Sequence, residues 1–495
     1  MSDLTFTSAY QLAQMIRDRT VSATEVVEAY LSQIAKHNSV LNAICTLNID
    51  GARSRAKQAD EALNKGELWG ALHGVPITIK DFYETQGLRT TAGYKPLQDY
   101  VPSQNATVVS RLLSAGAILL GKTNPSDVNG TYQGKNDLFP RVNNPWNLDY
   151  PSGGSSGGSA VAIAAGFSAL DVGSDVGSDV AGSIRQPAHC CGIYGLKPTD
   201  GRVSLAGHIL EVPNRPTCIR QMLVPGPLAR SIEDLRLCFS LIAGSDLRRP
   251  ELPPVPLDAP DDKPIEALRL AWSDNFRVPV AADIQSILHA AINQLAERGA
   301  TVENWSPSGI DWTAAQQLYY RLAACNYRYA QPTTWSAVRK TLTFIWREST
   351  QGEAALRKLG NPAQVLKKIL SPSLKDYVQA LDERDTFMAR LDQALAPWDA
   401  WLTPVAATPA FTHRPAWSAI DIDGVSYPHA IANGAYIMPF NLSGHPAVVI
   451  PMGQTQNGLP IGLQIVGKRW REMELLNVAQ KVDDAICAFR RPAGY

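Results

Sequence analysis

The sequence predicts an α/β protein, in which helices cover a sheet of short buried strands. Apolar residues recur at helical spacing over residues 8–37, which indicates two helices. Short β-rich runs then alternate with helical segments. Residues 73–81 form a predicted strand, and residues 108–124 form a predicted helix, a turn at Gly116 and a second strand. This alternation is typical of a sheet with helices packed on it.

The same patterns predict the other elements in order. Ser22 or Thr24 begins the second N-terminal helix, and Ser231 caps a later amphipathic helix. The Asp-Ile-Asp-Gly sequence at 421–424 predicts a hairpin turn. The further helical segments are 53–65, 155–166, 229–244, 284–299, 312–346 and 472–489, and the further strand segments are 168–172, 268–272, 399–410, 445–453 and 460–467.

Composition limits the classes of function. The chain has 495 residues, with 46 Lys plus Arg against 46 Asp plus Glu, so no overall field attracts nucleic acid or an anionic membrane. No apolar run reaches the roughly 18 residues of a spanning helix, and a secretory signal is not expected. The seven cysteines contain no C-x-x-C pair and the histidines are dispersed. These features predict reduced thiols, a cytoplasmic location and no metal site.

Residues 116–123 match the phosphate-loop pattern G-x-x-x-x-G-K-T, but the match is formal. The four intervening residues are Ala-Ile-Leu-Leu, which favour a buried strand. A phosphate cradle needs exposed backbone N–H groups that follow a strand. We therefore expect no ATP site here.

One stretch, residues 150–204, has the character of a reacting centre. It contains a Gly/Ser loop, an Ala/Val run, a second loop of Gly, Ser and Asp, and then Ser-Ile-Arg-Gln-Pro-Ala. Hydroxyl nucleophiles and a close approach of the backbone both need such small residues. A flexible linker is the simpler alternative, but the apolar run between the two loops argues against it.

Three patterns could carry chemistry. Lys80 ends a β-rich run, where burial would favour its neutral, basic form, although a surface ion pair with Asp81 is the ordinary alternative. Ser183 follows small residues, so the N–H groups of 180–183 can bind an oxyanion where it attacks. Residues 153–157 match G-x-S-x-G, which leaves an α/β-hydrolase open. Its histidine would be His413, His429 or His445.

Together these residues resemble the amidase signature family of Ser-Ser-Lys amide hydrolases. The matching motifs are GVPITIKD, NPWNLDYPSGGSSGGSA, GSDVAGSIRQPA, GLKPTDGRVS, NLSGHPAVVIPMG and GLPIGLQIVG, and they span most of the chain. The resemblance implies a single domain over 1–495, an α/β/α sandwich with a large mixed central sheet. Its expected parts are N-terminal helices over 1–70, a signature core over 71–245, a Pro-rich crossing and helical, aromatic-rich excursion over 246–398, and C-terminal strands and a helix over 399–495.

The resemblance also implies roles for single residues. Lys80 would be the general base, Ser155 the bridging serine beside a cis peptide bond, and Ser183 the nucleophile. Such a division is chemically sound, because a serine hydroxyl is a poor nucleophile until a base takes its proton. The expected oxyanion-hole N–H groups belong to Val180, Ala181, Gly182 and Ser183; the supporting residues are Ser156, Asp179 and Arg185; the expected substrate-binding residues are Tyr132, Gln133 and Asn136.

One feature departs from the family pattern. Asp-Val-Gly-Ser occurs at 171–174 and again at 175–178, so the interval from Ser155 to Ser183 carries an additional unit. Ser174 and Ser178 are therefore rival nucleophiles. We prefer Ser183 because Ile-Arg-Gln-Pro follows it directly. The additional unit either bulges harmlessly or displaces the oxyanion loop, and a displacement of about 1 Å can cost on the order of 100-fold in rate.

These observations predict an amidase that hydrolyses the C–N bond of a linear carboxamide through a serine acyl-enzyme, without a cofactor. The products are a carboxylate and ammonia or an amine, and the expected partner is a small-molecule amide, with a homodimer left open. Two alternatives are the glutaminase subunit of a tRNA-dependent amidotransferase and a catalytically impaired scaffold relative. The aromatic residues between 312 and 346 favour a bulky substrate, although core packing explains them equally well.

Overall fold

The computed structural model describes residues 3–126, 132–176, 182–209, 221–276, 278–330, 373–415, 418–486 and 489–495. The helices are α1 (Ala9–Arg17), α2 (Ala23–Leu41), α3 (Ile49–Asn64), α4 (Thr107–Ser114), α5 (Gly157–Ala164), α6 (Arg185–Cys191), α7 (Ile232–Ile242), α8 (Ala282–Glu297), α9 (Trp312–Ala330), α10 (Leu374–Leu395), α11 (His429–Gly434), α12 (Met438–Leu442) and α13 (Glu472–Ile486). The strands are β1 (Ile44–Leu47), β2 (Pro76–Lys80), β3 (Ile118–Thr123), β4 (Asp171–Val176), β5 (Tyr194–Lys197), β6 (Leu223–Ala229), β7 (Arg269–Trp272), β8 (Thr301–Asn304), β9 (Ala400–Pro404), β10 (Ile420–Ile422), β11 (Val425–Tyr427), β12 (Ala447–Gln454) and β13 (Pro460–Val466).

A large mixed sheet forms the centre of the molecule. Its eight strands lie in the order β4-β6-β5-β12-β13-β9-β7-β8. Neighbouring strands from β4 to β9 pair antiparallel, whereas β7 pairs parallel with both β9 and β8. Helix α6 packs on β12 and β13, and α7, α8 and α13 pack on β6 and β12. The predicted α/β fold with a large mixed central sheet is confirmed.

A smaller sheet brings Lys80 to the edge of the large one. Its three strands lie in the order β1-β3-β2, and every residue of β2 is buried. The Thr78 N–H donates to the Leu170 carbonyl at 3.1 Å, and Ile77 pairs with Leu170 in a parallel bridge. Strand β2 therefore ends beside the beginning of β4.

Most local predictions from the sequence are confirmed. Residues 118–123 form the buried strand β3, which removes the phosphate-loop interpretation. Ser22 caps α2 in a capping box with Glu25, and Ser231 caps α7. Strands β10 and β11 form the predicted hairpin. The aromatic excursion is helical from 312 to 330, and the rest of that prediction, residues 331–346, lies outside the described residues.

Several predicted boundaries differ from the structure; the strand expected at 399–410, for example, covers only Ala400–Pro404. The strand expected at 168–172 instead runs over Asp171–Val176, because β4 pairs with β6 along its whole length. Helix α5 ends at Ala164 rather than near Gly166. Ser156 occupies its N-cap position, as predicted, but the Ser156 hydroxyl makes no capping hydrogen bond. That hydroxyl contacts the Lys80 amine instead, at 2.9 Å.

Distant carboxylates accept hydrogen bonds from the first N–H groups of three helices, and in α1 and α2 they add to the local serine caps. Asp234 on α7 accepts two backbone N–H groups at the start of α1. Asp60 on α3 does the same for α2, and Asp258 does so for α13. Each carboxylate satisfies N–H groups that the helix itself cannot pair, and it opposes the positive end of the helix dipole. These contacts fix how the helices pack on one another.

His189 predicts a pH dependence of stability. Its buried ring lies between α6 and β13, where Nδ1 accepts from the Gly462 N–H at 3.0 Å and Nε2 donates to the Thr408 carbonyl at 3.2 Å. Burial lowers the pKa of His189 from 6.5 to about 4. Because the folded state resists protonation, this contribution to stability is present above pH 6.5 and is lost as the pH falls toward 4. The loss by pH 4 is about 3 kcal/mol.

Denaturant unfolding at pH 7 and pH 4 measures this contribution. The variant His189→Gln should be less stable than wild type at pH 7 but should lose less stability on acidification. The control His289→Gln removes a half-exposed histidine and should keep the wild-type pH dependence. Equal losses for wild type and His189→Gln would contradict the prediction.

Candidate active site

The Lys80 amine lies at the centre of the candidate site. Lys80 is the last residue of β2 and is 0% exposed. Its Nζ lies 2.7 Å from the Ser155 hydroxyl, 2.9 Å from that of Ser156 and 3.1 Å from that of Ser174. The Phe82 ring lies 4.7 Å from the same nitrogen. A buried amine surrounded by hydroxyl groups can exchange protons with them.

A surface ion pair between Lys80 and Asp81 is excluded, because both side chains are buried. Asp81 lies 3.9 Å from the buried amine of Lys122 and accepts two hydrogen bonds from Thr91. Burial lowers the pKa of Lys122 to about 8 and raises that of Asp81, and the attraction between the two groups opposes both shifts. Asp81 therefore has a different cationic partner on the neighbouring strand.

A backbone hydrogen bond joins the Gly/Ser loop that contains Ser155 to the segment of Ser183. The Ser156 N–H donates to the Ser183 carbonyl at 3.2 Å, and the Ser126 N–H donates to the Ser155 carbonyl at 2.9 Å. The Gly154–Ser155 peptide bond is cis, as the resemblance implies. The two serine-containing loops, far apart in sequence, are thus adjacent in space.

Two glycines permit this close approach. Gly153 has φ of +76°, and a Cβ there would lie 2.8 Å from the Cα of Pro187. Gly182 has φ of +105°, and a Cβ there would overlap the Ile437 side chain. Any other residue type would be strained at both positions. The residue before Ser183 therefore has to be glycine for the loop to take this path.

Arg185 ties the nucleophile segment to the C-terminal part of the chain. Ser183 lies just before α6, and its side chain is buried. The buried Arg185 guanidinium donates to the Gln464 side chain at 2.7 Å, to the Ile437 carbonyl at 3.1 Å and to the Asn441 side chain. These charge-assisted bonds hold the start of α6 in place.

The first Asp-Val-Gly-Ser unit lies in β4, and its serine is a partner of the lysine. Ser174 contacts the Lys80 amine through its hydroxyl at 3.1 Å and its carbonyl at 3.3 Å. Ser178, Asp179, Val180 and Ala181 lie outside the described residues. The oxyanion-hole roles of Val180 and Ala181, the supporting role of Asp179 and the effect of the additional unit stay predictions.

The three predicted substrate-binding residues are all buried. The Asn136 amide donates to the Asn124 side chain at 2.8 Å and to the Pro125 carbonyl at 2.7 Å. Gln133 accepts the N–H of Arg414 at 3.0 Å, and the Tyr132 ring stacks on His429 with centroids 6.1 Å apart. Their role in substrate binding stays a prediction.

Sequence reasoning missed one buried carboxylate beside the site. Asp171 accepts hydrogen bonds from the hydroxyls of Thr78 at 2.7 Å and Thr123 at 3.2 Å. Burial raises the pKa of Asp171 to about 6, although these hydrogen bonds and the charge of Lys80 act to lower it. The available signal was a carboxylate within an apolar strand, where charged side chains are rare unless paired.

The geometry favours a lysine-based site over an α/β-hydrolase. The amine of Lys80 contacts Ser155. His445, by contrast, contacts Ser443 at 2.9 Å and Asp392 at 3.1 Å. Within the described ranges, no group of three or more His, Cys, Asp or Glu side chains is arranged to hold a metal ion. None of the helices described there is both long and apolar enough to cross a membrane.

The chain belongs to the amidase family, whose model matches residues 25–476. It is 34% identical over 498 residues to the A subunit of the glutamyl-tRNA(Gln) amidotransferase of Exiguobacterium sibiricum, covering 97% of this chain and 98% of that protein. It is 31% identical over 516 residues to the corresponding protein of Bdellovibrio bacteriovorus, covering 98% of each.

Solved structures of the family have the same fold. A crystal structure of an amidase aligns with a TM-score of 0.77 and 27% identity, over 97% of this chain and 100% of that one. A bacterial aryl acylamidase of the amidase signature family aligns with a TM-score of 0.77 and 25% identity, over 99% of both chains. The predicted family is therefore confirmed, and the chain is an amidase-family hydrolase.

Gly182→Ala should reduce activity more than stability. The new methyl group would displace the loop beside Ser183, and a shift of about 1 Å costs on the order of 100-fold in kcat. The matched control is Gly244→Ala, since Gly244 has φ of +100° with no atom within 4 Å of a Cβ. Thermal unfolding should show the strain of a left-handed alanine in both variants, with a larger loss in Gly182→Ala because of the overlap with Ile437, and amide hydrolysis should be lost only in Gly182→Ala. Equal activities would contradict the prediction.

Proposed function

We propose that an amide substrate acylates Ser183, and that Lys80 is the base that activates this serine through Ser155. The supporting observation is the buried Lys80 amine 2.7 Å from the Ser155 hydroxyl. The hydrogen bond from the Ser156 N–H to the Ser183 carbonyl keeps the two serine segments together. A lysine that exchanges protons with a bridging hydroxyl supplies the base that a serine nucleophile requires.

The reaction divides into two half-reactions. Ser183 Oγ attacks the carbonyl carbon, and its proton passes through Ser155 to Lys80. The C–N bond of the tetrahedral intermediate then breaks, and the amine leaves with the proton that Lys80 returns through Ser155. Water attacks the resulting ester by the same route and gives one proton through Ser155 to Lys80. As the C–O bond to Ser183 breaks, this proton returns to Ser183 Oγ, and the released carboxylic acid loses its remaining proton to solvent to become the carboxylate. Lys80 ends each half-reaction as it began, so no cofactor is consumed.

Backbone N–H groups beside Ser183 would stabilise the oxyanion of each tetrahedral intermediate. Each donor aimed at the developing charge contributes about 3 kcal/mol to lowering the barrier. The left-handed conformation of Gly182 and the anchoring of α6 by Arg185 support a fixed orientation for the N–H group of Ser183. Such preorganised donors need no rearrangement as the charge develops.

Of the two amidase activities, the comparisons favour the glutaminase subunit over a stand-alone enzyme for linear amides. Relatives at 31% and 34% identity, each covering at least 97% of this chain, carry the name of a glutamyl-tRNA(Gln) amidotransferase component. The proposed substrate is then the side-chain amide of glutamine, and the proposed partners are the other subunits of such a complex. The equal numbers of basic and acidic residues, 46 each, give this chain itself no general attraction for RNA.

A stand-alone amidase for apolar amides is the second candidate, and its support is the aryl acylamidase that aligns over 99% of both chains. Phe276, Trp312 and Met438 line a narrow apolar groove with Ala315, Gln316, Gly434, Ala435 and Pro439. Its volume of about 10 Å³ is the space of a single water molecule, so an aryl group would enter only after these side chains move. The impaired-scaffold alternative depends on the additional Asp-Val-Gly-Ser unit.

Ser183→Ala and Lys80→Ala should each lower kcat for amide hydrolysis by at least about a thousandfold, because each removes one member of an interdependent set. Purified variants are assayed with glutamine and with a panel of aliphatic, aryl and indole amides. The control Ser240→Ala changes an exposed serine on α7 and should keep wild-type activity. Near-wild-type activity of Ser183→Ala would refute the proposed nucleophile.

Size-exclusion chromatography of the tagged protein from its native host separates the two candidates. A glutaminase subunit should elute with other chains in a stable heteromeric complex, and that complex should release ammonia from glutamine. A monomer or homodimer that hydrolyses aryl amides but not glutamine would instead support the stand-alone enzyme. The two outcomes differ in the mass of the eluted species and in the amide that is hydrolysed, so the activity assay checks the result of the chromatography.

A further inference from the structure

Asp171 is placed to act on Lys80 through two strands. Its carboxylate accepts a hydrogen bond from Thr78, two residues before Lys80 on β2 and hence on the same face of that strand. It also accepts one from Thr123, which lies opposite Lys80 in the parallel pairing of β2 and β3. The carboxylate thus holds together the two strand ends next to the amine.

This carboxylate lies inside the protein with neutral hydrogen-bond donors. Asp171 is 1% exposed, and both of the donors described above are hydroxyl groups. The Thr123 hydroxyl is itself bonded to Ser159 at 2.8 Å. A buried carboxylate needs a counter-charge as well as hydrogen bonds, because hydroxyl groups alone do not replace the solvation that it loses.

The ionisable groups around Asp171 leave Lys80 as that counter-charge. Among the side chains that the structure describes, those whose charge interacts with Asp171 include Lys80, Lys122, Tyr83 and Cys238. Burial raises the pKa of both the Tyr83 phenol and the Cys238 thiol, so neither is charged at neutral pH. Lys122 lies 3.9 Å from its own carboxylate, Asp81. Helix α5 and strand β6 contain no ionisable side chain.

We propose that Asp171 is a positioning residue whose carboxylate is the counter-charge of the Lys80 ammonium and anchors the end of β2 through Thr78. The proposal rests on the proposed role of Lys80 as the base. When Lys80 receives the proton of Ser183, a positive charge develops at the amine inside the protein. An ionised Asp171 stabilises that charge, as a buried aspartate stabilises the imidazolium of a Ser-His-Asp triad. The carboxylate itself stays unprotonated during this step.

The variant Asp171→Asn tests the proposal, because it keeps an oxygen acceptor for Thr78 and removes the charge. Without the counter-charge, the ammonium form of Lys80 is disfavoured, so the free base persists to lower pH. We expect the acidic limb of kcat/KM to move to lower pH by about one unit, and kcat to fall about tenfold because the base is weaker. KM should change little, since Asp171 does not touch the substrate.

The rate at which a fluorophosphonate labels Ser183, measured as a function of pH, also reports the pH at which Lys80 becomes a free base. This measurement needs no known substrate. The midpoint of this labelling profile should move to lower pH in Asp171→Asn. Thr78→Val is a second variant, which removes a bond that stabilises the carboxylate. It should move the midpoint in the same direction by a smaller amount. The matched control Asp234→Asn alters another buried carboxylate, the cap of α1, and should lower the melting temperature without moving the midpoint.

A folded Asp171→Asn protein with a wild-type midpoint would overturn the proposal. So would an equal shift in Asp234→Asn, since that result would indicate a general loss of stability. Failure of the proposed function is distinguishable from both. In that case Ser183→Ala and Lys80→Ala would be labelled as fast as wild type, whatever the result for Asp171→Asn.

Discussion

The burial of one amine is the constraint on which the rest of the site depends. The Lys80 side chain is 0% exposed and its nitrogen has three serine hydroxyls within 3.1 Å. An ammonium group costs several kcal/mol to bury, so the fold has to place polar oxygens around it. These oxygens come from the Gly/Ser loop before α5 and from β4. Strands β2 and β4 and that loop meet at one edge of the sheet. This is therefore the place where a buried lysine can serve as a base.

Small residues and one arginine fix the geometry at the place where β2, β4 and the Gly/Ser loop meet. Glycines let the Gly/Ser loop and the loop before Ser183 approach neighbouring chains more closely than a Cβ permits. Arg185 then fixes the start of α6 against Ile437, just before α12, Asn441 in α12 and Gln464 in β13. The C-terminal part of the chain thus supports the segment of Ser183, although Lys80 and Ser155 come from earlier parts of the sequence.

Two lysine–carboxylate combinations lie side by side beneath the site. Lys122 on β3 faces Asp81, and Lys80 on β2 lies near Asp171. Buried ion pairs contribute little to stability, because desolvation offsets most of their attraction. In the proposed mechanism, the two carboxylates determine which lysine carries the charge when the proton moves. The position of Asp81 beside Lys122 matters for this reason. Because Asp81 lies beside Lys122, it is not the proposed counter-charge of Lys80, although it follows Lys80 directly in sequence.

The sequence alone predicted many of the helices and several of the strands, because helical and strand periodicity, caps and glycine loops depend on neighbouring residues, and its motifs indicated the family. It also singled out Lys80, Ser155 and Ser183 through motif resemblance, and the structure brings their segments together. Only the tertiary structure decided that Ser174 and Ser156 share the amine, that Asp171 lies beside it and that Arg185 reaches Gln464. These contacts join strands and loops up to 279 residues apart. Strand order and register decide which of them form, and neither can be read from the local pattern of a single chain.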